Sequence, residues 1–377
     1  MVASISARGS ASAALGYYAH LQADDYYTRG GEPPGRWTGD GAERLSLRGP
    51  VTQAEFAAAL NGVDPKTGKR LVQHGGQGRE HSAGWDMTFS APKSVSVLWA
   101  LSPEQDRPAI EQAHRSAVMT AAGHLEQNAA WARRGRAGAI REPTAGLLMA
   151  QFDHHTSREA DPQLHTHTFI FNLAPRRDGT WGAIVSRELY KAQKEAGAIY
   201  RRELASELQR LGYRLDREKH GFRVATIPRD IERQFSKRRQ AIEEAARTHG
   251  YRSAKGMELA TLRTRRAKGA AKLDALFKSW QAEARTAGFE LSRDRQQQLV
   301  RPAATAARSP VAAMVGRHAA TGDRSHIPSP AQTVSATSAV TSLLQAAVQL
   351  GAAVQALDRP KISGLRVKLR GREHEQE

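Results

Sequence analysis

The stretch from Leu147 to Asn172 constrains the fold more than any other part of the chain. Leu147-Leu-Met-Ala-Gln-Phe152 reads as a strand, Asp161-Pro162 signals a turn, and a second apolar run follows His165. Four histidines fall between His154 and His167, two of them as His165-x-His167. Residues i and i+2 of a strand project from one face, so His165 and His167 point the same way and are close enough to share one cation. His154, at the end of the first strand, is placed to complete the set from the neighbouring strand. His155 then faces away.

A shell of three imidazoles suits a divalent transition metal and leaves coordination positions for water or substrate, which points to catalysis rather than scaffolding. The competing explanation is a half-exposed strand with ordinary polar residues. A third histidine, with Asp153, Arg158 and Asn172 alongside, sits at the ends of strands whose middles are strongly apolar. An apolar core has no need of that cluster.

The charge balance indicates what such a metal would act on. The 377-residue chain carries 56 Lys and Arg against 38 Asp and Glu, a formal charge of +18. An excess of that size is the electrostatic footprint of a polyanion, with nucleic acid the first expectation and an anionic membrane surface the second. Met1 to Leu15 has neither a basic start nor a true apolar block, so no secretory signal is expected there and the expected location is cytoplasmic. The absence of cysteine excludes disulfides, thiolate metal sites and cysteine nucleophiles.

The segment from Gly16 to Thr28 offers an unusual nucleophile. It holds Tyr17-Tyr18 and Tyr26-Tyr27 among small and acidic neighbours, out of eight tyrosines in the chain. Either pair alone can serve simply to anchor a helix, but two pairs upstream of a metal site favour chemistry. Successive helical residues are about 100° apart, so within a pair one phenol at a time aims at a given point. Asp24-Asp25 reads as a break that brings the second pair to the same metal. Phenol has an unperturbed pKa of about 10, so attack on a phosphodiester at neutral pH needs a polarised phosphate and a proton acceptor. Asp86 is the candidate acceptor, or else it holds a ligand histidine in its tautomer. It stands in a short strand that leads to a helix with Pro92 near its first turn.

These blocks, in this order, resemble the MobF-type conjugative relaxases, the TrwC/TraI kind within the HUH endonuclease superfamily. The resemblance is carried by the two tyrosine pairs, by Gly84-Trp-Asp-Met-Thr-Phe-Ser-Ala-Pro-Lys-Ser-Val-Ser96, and by the run from His154 through Ser157-Arg158 and Asp161-Pro-Gln-Leu to His165-Thr-His167. It continues through Trp181, the helix around Tyr200, Leu211-Gly-Tyr213 and Phe235 to Arg239.

The resemblance implies an α+β fold: an antiparallel sheet of palm or ferredoxin-like form carrying the histidine triad, helices behind it and a helical lid, and beyond it the composition leads us to expect a flexible C-terminal tail. It implies nicking of one DNA strand at an origin of transfer. Tyr17 would be the first nucleophile, giving a 5′-phosphotyrosyl link, and Tyr26 the second, with Tyr18 and Tyr27 as their paired alternates. His154, His165 and His167 would hold a divalent ion, Mg²⁺ or Mn²⁺ with Zn²⁺ as an alternative. Asp86 would orient a ligand or accept the tyrosyl proton, and Arg158 and Lys93 would neutralise phosphate charge. The implied partners are single-stranded DNA, a helicase acting in trans, an accessory DNA-binding protein and a type IV secretion coupling protein. The chemistry is coherent, because a tyrosyl ester conserves the phosphodiester for later rejoining and two tyrosine sets permit two successive transesterifications.

The large members of that family continue into a helicase, which this sequence does not show. Gly62-Val-Asp-Pro-Lys-Thr-Gly-Lys-Arg70 has one residue too many for a phosphate loop and Arg70 where a hydroxyl should stand, so it reads as a basic turn. The expected organisation is a catalytic core over 1–230, a helical DNA-clamping segment over 231–300, and a tail over 301–377. Ser102-Pro-Glu-Gln105 reads as a capping box opening a helix through about Trp131. Arg263, Arg265, Lys268, Lys272 and Lys278 make a positive face which, with Trp280, is suited to gripping single-stranded DNA by phosphate contacts and base stacking. The tail is rich in Ala, Ser, Thr and Pro, with an uncharged stretch from Val340 to Leu357 that suits an amphipathic helix better than a membrane span. Two other functions compete. A rolling-circle replication initiator usually places its metal motif ahead of its tyrosine, the reverse of the order here. A non-enzymatic DNA-binding relic of the family would bind without forming a covalent link.

Overall fold

The computed structural model describes residues 3–11, 14–16, 33–72, 82–264 and 272–291. All of them belong to the first of two compact units, Met1–Thr305. The second, Ala306–Glu377, lies outside the described residues, and so do Tyr17, Tyr18, Tyr26, Tyr27, Arg265, Lys268 and the Val340 to Leu357 stretch.

Five strands form the central sheet: β1 (Ala3–Arg8), β2 (Arg36–Thr38), β3 (Gly84–Ser90), β4 (Met149–Thr156) and β5 (Pro162–Phe171). Their order is β1-β3-β5-β4-β2, every pair antiparallel. The two runs met first in the sequence are therefore the inner strands β4 and β5. Their apolar middles are buried because both sheet faces are covered there.

The rear face carries Met87, Phe89, Leu164 and Ile170 into one core with helices α2 (Lys93–Leu101), α3 (Arg107–Ala129) and α4 (Ser186–Arg210). The front face packs Phe152, Phe169 and Phe171 around Phe56 of α1 (Gln53–Leu60), at ring separations of 5.9, 5.2 and 5.0 Å. Helix α1 opens with a capping box that the sequence reading passed over: Thr52 accepts from the Glu55 amide, and the Glu55 carboxylate accepts from Thr52.

The capping box expected at Ser102 is not formed. The Ser102 hydroxyl instead donates back to the Leu98 carbonyl at 2.7 Å, a short 3₁₀ turn follows, and α3 begins at Arg107 with Pro108 in its first turn. Helix α3 ends at Ala129, because Trp131 starts a two-stranded hairpin with Ile140–Pro143.

Four further helices follow: α5 (Arg229–Gln234), α6 (Lys237–Thr248), α7 (Ala254–Arg263) and α8 (Leu273–Thr286). The expectation that Trp280 stacks on bases is overturned. Phe277, Trp280 and Ala284 recur at helical spacing and form the buried stripe of α8, which joins the rear core. Trp280 is 2% exposed and donates its indole N–H to the Ala160 carbonyl at 2.8 Å. Lys272 and Lys278 lie on the exposed side of the same segment. Among the described residues no helix is long and apolar enough to cross a membrane.

Candidate metal centre

The strand register builds the site. His154 stands directly opposite His165, and Phe152 opposite His167. Alternation then puts His165, His167, Phe169 and Phe171 of β5 on the front face. The apolar pair meets Phe56 of α1, while the histidine pair lies beyond that contact, facing His154. The three imidazole rings are 5.1–5.2 Å apart, and one nitrogen from each lies within 4.8 Å of the others. That convergence fits one cation with three nitrogen ligands.

Tautomers are set from behind. Nδ1 of His165 donates to the Gln163 carbonyl at 2.9 Å, so Nε2 carries the lone pair. Nδ1 of His167 donates to Asp86, at 3.0 Å from Oδ1 and 3.1 Å from Oδ2, with the Thr88 hydroxyl 3.1 Å from the same nitrogen. Arg8 of β1 donates to Oδ2 of Asp86 at 3.2 Å. Asp86 is 3% exposed, and Arg8 pairs with it from one side while it orients the imidazole on the other. Of the two roles weighed for Asp86, this geometry favours the ligand-holding one.

His155 faces the rear, as alternation requires. It stacks on Trp99 of α2, ring centroids 4.9 Å apart at 11°, with Nε2 3.6 Å from Glu111. Just beyond His154 the β4–β5 register shifts, and Ala160 in the connecting turn adopts φ 56°. Arg158 lies half-buried in that turn, between the two ligand-bearing strands.

Lys93 requires a correction. Its ammonium donates to the Pro162 carbonyl at 2.8 Å, and burial pushes its pKa down to about 8 against the opposing charge of Asp161. It ties the start of α2 to the start of β5 rather than facing open solvent. The motif position suggested a phosphate contact because no spacing rule reveals that the side chain folds back onto a carbonyl.

A TrwC relaxase family model matches residues 11–287. The chain belongs to the TrwC relaxase family. Among relatives, the multifunctional conjugation protein TraI of Escherichia coli is 34% identical over 295 residues, and the protein of that name from strain K12 is 33% identical over 295 residues. The match covers 75% of this chain and 16% of each TraI, so the chain corresponds to a minor part of those proteins. Among solved structures, a copper-bound conjugative relaxase TrwC in complex with oriT DNA aligns with a TM-score of 0.69 at 36% identity, covering 77% of this chain and all of that one. A metal-free TrwC complex with oriT DNA gives 0.67 at 34%, with the same coverage. The antiparallel sheet with helices behind it is thus the fold of TrwC relaxases, as expected.

Three polar residues of this TrwC relaxase site escaped the sequence reading. Arg8 and Thr88 brace Asp86 and His167, and Arg36 of β2 donates to Asp153 at 2.6 Å. Thr88 falls inside the Gly84 to Ser96 block and period-2 alternation from Asp86 would have found it. Arg8 and Arg36 arrive through strand pairing across long stretches of chain, which no local pattern encodes.

Proposed function

We propose that this chain is a DNA strand transferase, a relaxase that nicks one strand at an origin of transfer by metal-assisted tyrosine transesterification. The observation that carries it is the convergence of His154, His165 and His167 on one face of the sheet, in a family whose solved members hold oriT DNA. A divalent ion bound there supplies a Lewis acid that polarises a phosphate oxygen. Three imidazoles are borderline nitrogen donors, so Mn²⁺ or Zn²⁺ suits this shell better than Mg²⁺, which demands oxygen ligands.

Tyr17 is assigned as the nucleophile, with Tyr18 beside it and Tyr26-Tyr27 as the second pair. Its phenolic oxygen attacks phosphorus, the bond from phosphorus to the 3′-oxygen breaks, and that oxygen takes up a proton while the phenolic proton passes to solvent. Asp86 acts through His167, keeping hydrogen on Nδ1 and the lone pair on Nε2. Arg158, in the turn between the ligand strands, is assigned to phosphate charge. Arg265 and Lys268, with exposed Arg263, Lys272 and Lys278 flanking them, are assigned to the single-stranded DNA backbone.

The test is an SDS-resistant adduct assay on single-stranded oligonucleotides tiled across the replicon that encodes the chain, with Mn²⁺, Zn²⁺ or Mg²⁺ and with EDTA. Tyr17→Phe and Tyr18→Phe identify the attacking residue. A metal-dependent adduct lost in one of these variants supports the relaxase. Binding without any adduct, under every metal, favours the non-enzymatic relic.

A further inference from the structure

Behind the metal centre, four buried side chains form a line of hydrogen bonds. Tyr200 Oη lies 2.7 Å from Nδ1 of His114, Nε2 of His114 lies 2.9 Å from Thr166 Oγ1, and Thr166 Oγ1 lies 2.6 Å from Asp153 Oδ1. Their exposures are 0% for Tyr200, 3% for His114, 0% for Thr166 and 5% for Asp153. Asp153 also accepts from Arg36 at 2.6 Å and from Nε of Arg115 at 2.9 Å. Burial raises the Asp153 pKa, but Arg36, His114 and Thr166 outweigh it and hold the carboxyl well below the usual range.

The polarity of the line follows from its ends. An ionised Asp153 only accepts, so the Thr166 hydroxyl donates to it and must itself accept from Nε2–H of His114. Burial pushes His114 down to about 4, leaving a neutral ring whose Nδ1 accepts from the Tyr200 hydroxyl. Every member is thereby satisfied.

The position of this line matters as much as its polarity. Thr166 separates His165 from His167, Asp153 immediately precedes His154, and the two are direct cross-strand partners. Their bond on the rear face is therefore the rung next to the His154–His165 rung on the front. The pairing is irregular just past His154, and a one-residue slip of β4 against β5 would turn His154 to the rear, away from His165 and His167. An apolar rear rung would give comparable stability, since buried polar groups add little net free energy over apolar ones of the same shape.

We propose that Thr166 and His114 are positioning residues of the metal centre: the line from Tyr200 to Asp153 pins the β4–β5 register and so fixes where the three histidines converge. This inference rests on the triad being a metal site.

Its test is a Co²⁺ titration of the full chain, reading affinity and the visible ligand-field spectrum beside a thermal melt, for wild type, Thr166→Val, Thr166→Ser, Tyr200→Phe and His165→Ala. Thr166→Val is expected to weaken Co²⁺ by about 10- to 100-fold and to alter the spectrum, with Thr166→Ser restoring both. Thr166→Val with wild-type affinity and spectrum, whatever its melting point, overturns the inference. If Thr166→Val does not fold, Tyr200→Phe carries the decision, since it keeps the ring and removes only the terminal donor. A weaker, spectrally altered Co²⁺ complex then supports the inference, and an unchanged one overturns it. Should wild type bind no Co²⁺, or His165→Ala bind it equally well, the metal reading itself fails and takes this inference with it.

Discussion

Nδ1 of His167 lies 3.0 Å from Oδ1 and 3.1 Å from Oδ2 of Asp86, one strand away and on the same sheet face. A carboxylate in that place keeps the hydrogen on Nδ1 and leaves Nε2 as the nitrogen that faces the metal site. Asp86→Asn removes the charge and leaves Arg8 without its ionic partner. Metal affinity should fall by about tenfold or more, with adduct formation falling in parallel. Isothermal titration with Mn²⁺ checks this, and unchanged affinity would show that Asp86 does not act through His167.

The donor set predicts which ions the protein selects. Zn²⁺ or Mn²⁺ at 100 times its dissociation constant should stabilise the fold by about 2.7 kcal/mol, while Mg²⁺ at the same concentration does little. His165→Ala should abolish the effect. Thermal melts with each ion read the difference, and an equal shift with Mg²⁺ would contradict three-nitrogen ligation.

Trp280 separates a core role from a DNA-stacking one. Trp280→Ala should cost about 3–5 kcal/mol of stability, and Trp280→Phe about 1–2 kcal/mol through loss of the bond to Ala160. Single-stranded DNA affinity of the folded Phe variant should stay at the wild-type value. The converse holds for Lys272→Ala with Lys278→Ala, which should leave the melt within about 0.5 kcal/mol per site yet weaken DNA binding and flatten its salt dependence. Loss of DNA affinity in Trp280→Phe at an unchanged melting point would restore the stacking role.

His114 gives a pH dependence with a definite sign. Burial holds its pKa at about 4 in the folded chain, against an ordinary value of 6.5. Between those values the unfolded chain binds a proton that the folded one does not, so this contribution is complete above pH 6.5 and declines as pH falls toward 4. The slope reaches at most about 1.4 kcal/mol per pH unit. Urea unfolding of wild type and His114→Gln at several pH values between neutral and mildly acidic should show the gap between them narrowing as pH drops. A constant gap would mean that His114 does not titrate on unfolding.

Much of the site was legible one strand at a time. Period-2 alternation brought His165 and His167 together and sent His155 to the rear, and the apolar runs on either side of Asp161-Pro162 identified the hairpin. These are local consequences of strand geometry and need no knowledge of the rest of the chain. The excess of positive charge and the order of the motifs were equally plain, because composition and motif order survive any folding.

Long-range packing decided the rest. Trp280 and Lys278 stand two residues apart on one helix, yet one is buried in the rear core and the other faces solvent, because the position of the sheet selects which side of α8 is covered. Lys93 bends back onto Pro162, and Arg8, Arg36 and His114 reach the centre from strands and helices remote in sequence. The sequence by itself determined that three histidines would share one face of a two-stranded unit. Only the tertiary structure decided which buried groups hold them there, since satisfying a buried polar atom depends on whatever the fold brings within about 3 Å of it.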